Sequence, residues 1–440
     1  MMTSKKVKFI TLGCRVNQYE TQGMREVMSK SGVLPVTEDN SDQVDFVIIN
    51  TCTVTAEADK ENRYWIRRAK RDYPTAKIVV TGCGVERDRE KIEALPEVDL
   101  VVANHDKSNI ADKILGGCAD DEFQKAGVNP KHRFTPLSVS ESEGHARAFI
   151  KIQDGCNHAC SFCKVVLVRG RSRSRNLTDI LDEVKRLRDG GFREVVFAGI
   201  QLGAYGLDSQ TQDSLVRVIE ESAKISGIER IRLSSIEPTD VKPELINALA
   251  AIPQCGHHLH IPLQSGDDQI LAAMNRRYDR VFYIDLIERL RAQMPDFMLT
   301  MDVMAGFPGE EETHFCNTLD LIGRVKPIHA HSFPYSEREG TKAARLKLNH
   351  DKMIARERVL QLSREVEIIG NNVRQRFIGK TMPVLVENYK QGKEKGWFQG
   401  LTLNYLKVYF PASEDLFRKI VPVELVTLQA DGFLGRIVES

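Results

Sequence analysis

Three times near the start of the chain an apolar, β-branched run ends just before a cysteine: FITLG before Cys14, FVIINT before Cys52 and IVVTG before Cys83. The runs, residues 7–12, 44–50 and 78–81, are separated by amphipathic stretches at 19–29 and 56–71. Strand and helix patterns in alternation predict a parallel sheet with helices on both faces. Every strand of such a sheet delivers the residue that follows it to one edge, the edge where ligands collect. Three thiols far apart in sequence are therefore predicted to converge, as a three-cysteine cluster site with one open iron. The bland alternative, three unrelated strand-end cysteines, gives no reason for the repeated placement.

The alternation resumes at Ala146 and runs longer. Strands are predicted at 149–152, 194–198, 230–233, 258–263, 299–303 and 329–333, with helices at 180–187, 214–225, 282–293 and 313–325 between them. Six β/α units predict a partial barrel whose working site lies at the C-terminal ends of its strands. A helix at 356–374 closes the region. Beyond it, runs at 383–387, 401–410 and 421–428 with turn residues between them predict a small all-β barrel. The stretch from Cys118 to Gly144 is polar and aperiodic and is expected to be a linker. The fold class is thus α/β with a β appendix, divided as 1–117, 118–144 (linker), 145–374 and 375–440.

Composition excludes more than it selects. A chain of 440 residues, 42% hydrophobic and 28% charged, buries an ordinary core. The apolar part of KKVKFITLGC is too short for a signal peptide, and no segment has the roughly 20 apolar residues of a membrane span. A cytoplasmic location is expected, where nine cysteines are read for metals rather than disulfides. Cys118, Cys255 and Cys316 fall in no ligand spacing. A formal net charge of +1 makes no general case for nucleic acid, so any such case is local. Arg63 and Arg67 share a helix face with Arg71, and Arg169, Arg171, Arg173 and Arg175 alternate in RGRSRSR. Both are candidate RNA contacts, the second because alternate residues of an extended run share a face; a solvated helix face and a plain loop are the competing readings.

Cys156, Cys160 and Cys163 form C-x3-C-x2-C directly after the strand pattern FIKIQ. Soft thiolates suit zinc or an iron–sulfur cluster. Structural zinc takes four protein ligands, and the nearest fourth donor, His158, lies inside the tight loop with little freedom to reach the same metal. Three cysteines favour a four-iron cubane with one iron left open.

GCNHACSFC, with Phe162 in the aromatic position, resembles the radical S-adenosylmethionine (SAM) motif. TLGCRVNQYET, INTCTVTAEADK, VTGC, HIPLQSGDDQILAAMNRRY and DVMAGFPGE extend the resemblance to the methylthiotransferase family over nearly the whole chain, and within it to the MtaB branch. That resemblance implies two [4Fe–4S] clusters, on Cys14, Cys52 and Cys83 and on Cys156, Cys160 and Cys163. It implies SAM as cofactor, with Phe162, Gly199, Ser235 and Gln264 as contacts. The expected substrate is N6-threonylcarbamoyladenosine at position 37 of tRNA, methylthiolated at C2. One SAM would methylate sulfur held at the first cluster; a second, cleaved at the other, would activate the base. A sulfur donor and a low-potential electron donor are implied partners, and the last barrel would be an RNA-binding TRAM domain. Alternatives of the same chemistry are isopentenyladenosine of tRNA or a ribosomal-protein aspartate as substrate; a different class is an iron–sulfur RNA-binding or redox-sensing protein. After Cys163 the chain reads KVVLVRG where family members carry a hydrophobic pair and a proline.

Overall fold

The computed structural model describes residues 4–36, 44–53, 55–116, 134–141, 144–208, 213–347, 351–390, 396–412 and 415–438. Its first unit is a five-stranded parallel sheet of β1 (Lys6–Thr11), β2 (Leu34–Val36), β3 (Phe46–Thr51), β4 (Lys77–Gly82) and β5 (Leu100–Val101), in the order β2-β1-β3-β4-β5. The fully buried β3 carries FVIINT without alternation, as a strand covered on both faces must. The order reverses between β1 and β3, which opens a crevice at the C-terminal edge. β2 and β5 are too short to leave a periodic signal.

The second unit is a partial barrel. β6 (Ala148–Lys151), β9 (Glu194–Ala198) and β10 (Arg230–Leu233) form one parallel sheet, and β11 (His258–His260), β12 (Met298–Ala305) and β13 (His329–Pro334) another. A bridge between Ile231 and Cys255 joins them. Between β6 and β9, the two-residue strands β7 (Gln153–Asp154) and β8 (Arg173–Ser174) pair antiparallel and tie the base of the cysteine loop. The helices Leu177–Asp189, Arg280–Gln293 and Glu312–Val325 cover the outside, where Ile150, Phe197, Ile231, Leu259 and Val303 make the main core.

The long helix Lys352–Gln375 leads into a closed five-stranded barrel of β14 (Thr381–Lys390), β15 (Gly396–Thr402), β16 (Lys407–Ala412), β17 (Ile420–Gln429) and β18 (Gly432–Ile437), ordered β14-β15-β16-β18-β17. The run at 401–410, expected as one strand, is the end of β15, a turn and most of β16: Asn404 and Tyr405, with Tyr405 at φ +73°, break it. The turn is docked on the partial barrel. Arg230 donates to the Leu401 and Pro383 carbonyls at 2.8 and 2.7 Å, and Arg232 to those of Leu403 and Thr402 at 2.9 and 2.7 Å.

The expected linker, Cys118 included, lies mostly outside the described residues. Its described part, 134–141, is packed rather than loose. Leu137 and Val139 are buried in the main core, and the Tyr19 hydroxyl donates to the Leu137 carbonyl at 2.7 Å. Two buried apolar residues suffice to pin it.

Candidate active site

The three cysteines of the first unit stand where its strands end. Gly13, at φ +94°, turns the chain after β1, and a Cβ there would lie 2.6 Å from the Cys52 sulfur, so only glycine lets the chain just before Cys14 run this close to the Cys52 side chain. Gly82, at φ +101°, makes the matching turn after β4, and Cys83 opens the helix Cys83–Glu93. Asn62 fixes the backbone at Cys52, accepting from its N–H at 3.2 Å and donating to its carbonyl at 2.6 Å. Burial pushes the Cys83 thiol up, against the pull of Arg169 and Lys107.

Cys156, Cys160 and Cys163 lie on the loop clamped by β7 and β8. Gln153 organises it: its Nε2 donates to the carbonyls of Asp154 and Gly155 and to the Ser172 hydroxyl, and its Oε1 accepts from the Gln201 N–H at 2.8 Å. Each sulfur receives a hydrogen bond, from the His158 N–H to Cys156 at 3.3 Å, the Arg276 guanidinium to Cys160 at 3.2 Å and the Val165 N–H to Cys163 at 3.4 Å. Such donors suit thiolates that bind iron and tune cluster potential. Arg276 is itself held by Glu237 at 2.5 Å. Burial, aided by the neighbouring thiols, pushes Cys156 up to about 12, so seating a cluster there releases protons.

In place of the hydrophobic pair and proline, KVVLVRG forms the one-turn helix Val165–Arg169, which delivers Arg169 into the first unit. Its Nε lies 3.1 Å from the Cys83 sulfur, while its other nitrogens bond Glu20 at 2.9 Å, Asp154 at 3.1 Å and Asn17 at 2.8 Å. Lys107 and Lys151 also bond Glu20, at 2.5 and 2.6 Å, and Arg173 bonds Asp154 at 3.0 Å. All six charges are buried. Burial alone would raise the Glu20 carboxyl, but Arg169, Lys107 and Lys151 together hold it well below the usual range. Four cations face two carboxylates, and the surplus is turned toward Cys83. An anionic group, such as a cubane carried by three thiolates, fits that field.

This corrects the reading of RGRSRSR as an RNA-facing run. Arg169, Arg173 and Arg175 are 2%, 7% and 8% exposed, and Arg175 pairs with Glu183 at 2.8 Å. Their guanidiniums are held by buried carboxylates, so they cannot grip phosphates; Arg171 alone of the four is exposed. Arg63 and Arg67 lie exposed on the helix Ala56–Asp72, with Arg67 3.8 Å from Glu97. In the C-terminal barrel Phe398 is core, stacked near Phe410, whereas Trp397 is exposed.

The expected SAM contacts fall in different surroundings. Phe162 packs against an apolar cluster that includes Met274, Met304 and Phe307. Gly199 is required by Gln153, whose Oε1 would meet a Cβ at 2.9 Å. Gln264 adopts φ +65°, and its buried Oε1 has no hydrogen-bond partner among the described residues; the same holds for the Ser161 and Ser234 hydroxyls and for His158 Nε2. Polar atoms left bare in this way on the loop and beyond the ends of β10 and β11 fit a polar cofactor. Ser235 lines a cavity of about 880 Å³ that also takes in Cys14, Arg15, Phe149, His260 and, from the C-terminal barrel, Glu387 and Tyr405. All three units wall it. No group of three or more His, Cys, Asp or Glu among the described residues is arranged to hold a single metal ion; the thiolates of a cubane bind different irons and stand further apart than ligands of one ion.

Residue-level reasoning missed Glu20, Lys107, Lys151, Gln153, Asp154 and Arg276. A signal existed for two of them: Lys151 and Gln153 alternate with Ile150 and Ile152, so the strand's polar face points into the barrel.

Residues 6–103 match a family model described as "Uncharacterized protein family UPF0004", and residues 150–322 one described as "Radical SAM superfamily". The chain is 36% identical to the threonylcarbamoyladenosine tRNA methylthiotransferase MtaB of Bacillus subtilis (strain 168), covering 99% of this chain and 97% of that one. It is 38% identical to the Chlamydia pneumoniae protein of the same name, with 98% of each covered. A tRNA-2-methylthio-N(6)-dimethylallyladenosine synthase of Acetivibrio thermocellus is 32% identical over 97% of this chain and 90% of its own. Among solved structures, the radical SAM methyltransferase TsrM from Kitasatospora setae superposes with a TM-score of 0.56 at 14% identity, over 76% of this chain and 75% of that one, a likeness of fold. No helix among the described residues is long and apolar enough to cross a membrane.

Proposed function

This chain belongs to the radical-SAM methylthiotransferase family, and on that premise we propose that it adds a methylthio group to C2 of N6-threonylcarbamoyladenosine at position 37 of tRNA. The observation that carries the reading is Arg169. Six residues after Cys163, it donates to the Cys83 sulfur at 3.1 Å, so one buried side chain links the loop of one cysteine set to the other. Relatives named for threonylcarbamoyladenosine reach 36–38% identity against 32% for the Acetivibrio thermocellus dimethylallyladenosine enzyme, which favours that substrate.

When bound, a cluster on Cys156, Cys160 and Cys163 supplies the one-electron reduction of SAM, and a second on Cys14, Cys52 and Cys83 supplies the sulfur to be transferred. The protein's residues do the rest. Arg276 and the loop N–H groups steady the thiolates; Gln264, Ser161, Ser234 and Ser235 offer polar atoms to SAM; Gly199 admits Gln153 beneath the loop. The cavity walled by all three units receives the base, which an unpaired anticodon-loop adenine reaches at less cost than a stacked one. Excluding water there protects a reactive intermediate. Exposed Arg63, Arg67 and Arg171, with Trp397, are the candidates for tRNA phosphates and bases. A soluble sulfur donor and a low-potential electron donor complete the cycle, in the cytoplasm.

Mass spectrometry of nucleosides from tRNA of cells with and without the gene tests this. Loss of 2-methylthio-N6-threonylcarbamoyladenosine, with its unthiolated precursor accumulating, is expected. An unchanged level rejects the substrate, and an iron–sulfur sensor predicts that outcome.

A further inference from the structure

The cations around the central cavity are not evenly matched. Arg147 pairs with Glu387 at 2.5 Å, Arg232 with Glu194 at 2.7 Å and Lys407 with Asp431. Arg374 is buried and taken up by the Ile328 carbonyl at 2.7 Å and Asn371 Oδ1 at 2.8 Å. Arg15 differs from all of these. It is exposed to the cavity and forms no ion pair among the described residues; Glu387, the carboxylate whose charge reaches it, is paired with Arg147. Its Nη1 donates to Gln18 Oε1 at 3.0 Å, and its guanidinium lies 5.0 Å from the centre of the Phe149 ring. A side chain braced on an aromatic face and a neighbouring amide, with its remaining donors open, is pre-organised for an anion.

Its place in the chain adds the second constraint. Arg15 directly follows Cys14, and both line the cavity. In adenine, C2 and the carbon that bears N6 flank the same ring nitrogen. A base presented with C2 toward Cys14 therefore carries its N6 substituent along the same edge, past the next residue. We propose that Arg15, braced by Gln18 and Phe149, forms a carboxylate subsite that takes the threonine carboxylate of the N6 substituent; this rests on the substrate reading above. The planar guanidinium fork accepts a carboxylate through two parallel hydrogen bonds. A neutral, branched hydrocarbon on N6 would desolvate that charge without pairing it, so the subsite selects by this penalty as well as by attraction.

The test uses reconstituted holoenzyme and anticodon stem-loop RNAs carrying N6-threonylcarbamoyladenosine as the free acid or as its carboxamide. Affinity is read by fluorescence anisotropy and methylthiolation by mass spectrometry. Wild type should prefer the acid by roughly ten- to hundredfold, the usual worth of a hydrogen bond to a charged group. Arg15→Gln should lose the preference, and Arg15→Lys, which keeps the charge without the fork, should retain part of it. Each preference is a ratio within one protein, so a general loss of folding or cluster lowers both arms without imitating the result. Where Arg15→Gln yields no protein, Arg15→Lys still reports the ratio. The subsite is overturned if wild type binds acid and amide alike, or if Arg15→Gln keeps the wild-type preference. A wild type that methylthiolates a dimethylallyl stem-loop and leaves both threonylcarbamoyl RNAs unmodified overturns the substrate reading, and the subsite with it.

Discussion

Cys156, Cys160 and Cys163 share one loop, whereas Cys14, Cys52 and Cys83 come from three strand ends of a parallel sheet. The loop set is held largely by what lies beside it in sequence: the β7/β8 clamp, Gln153 and two backbone N–H groups, with Arg276 donating to a sulfur and Asn275 and Ala343 to loop carbonyls from further along the chain. The sheet set is held by the whole first unit, through β1, β3 and β4 in register and through glycines that let the chain turn. A local set can form as soon as its loop closes; a dispersed set exists only once the sheet has folded. The two meet at Arg169, which belongs to the loop set by sequence and to the sheet set by contact.

The largest effects should come from removing each set. Alanine at Cys156, Cys160 and Cys163 is expected to abolish SAM cleavage and remove one of the two proposed cubanes, read by 5′-deoxyadenosine formation and iron content. Alanine at Cys14, Cys52 and Cys83 should leave cleavage measurable but eliminate methylthiolated product. Product from the second variant would erase the proposed difference in role.

The joint between them comes next. Glu20→Gln leaves Lys107, Lys151 and Arg169 with one compensating carboxylate, Asp154, and should destabilise the protein by about 3–5 kcal/mol, as breaking a buried pair does. Because the native fold holds the Glu20 carboxyl well below its ordinary value of 4.5, its contribution is fully present above that pH and is lost as pH falls through the lowered native value. Denaturant titrations of both proteins should show a constant gap at neutral pH that narrows below pH 4.5. A gap independent of pH down to the acid limit would mean that the charge is not what matters.

The smallest effects separate the two sets by their turns. Gly155, at φ +73°, has the Arg171 carbonyl oxygen 2.0 Å from an added Cβ, whereas Gly13 has the Cys52 side chain there. Backbone yields less than a side chain. Gly155→Ala should cost about 1–3 kcal/mol in thermal unfolding, and Gly13→Ala less, but Gly13→Ala should lower the iron bound by the sheet set. Equal costs with full iron in both would remove the argument that close approach is what Gly13 serves.

Much of this molecule was legible before any coordinates. Runs such as FITLG, FVIINT and IVVTG announce parallel strands, because a strand covered on both faces must be apolar throughout. A glycine or threonine before each cysteine marks the edge at which it emerges. C-x3-C-x2-C names its own chemistry, since three soft ligands on one loop leave few alternatives. The strand at 401–410 was misjudged because a tight turn can interrupt an apolar run without glycine or proline, as Asn404 and Tyr405 do. RGRSRSR was misjudged for a deeper reason. Alternating arginines read the same whether they face phosphates or buried carboxylates, and the partners that decide it, Glu20 and Glu183, are supplied by helices elsewhere in the chain. Sequence by itself determined most of the strands, which cysteines are candidate ligands and what family chemistry they resemble, because those follow from local pattern and side-chain type. Tertiary structure alone decided that Arg169 bridges the two sets, that three units wall one cavity and that Arg15 faces it with no ion-pair partner among the described residues, because charge pairing and enclosure depend on distances that chain order does not encode.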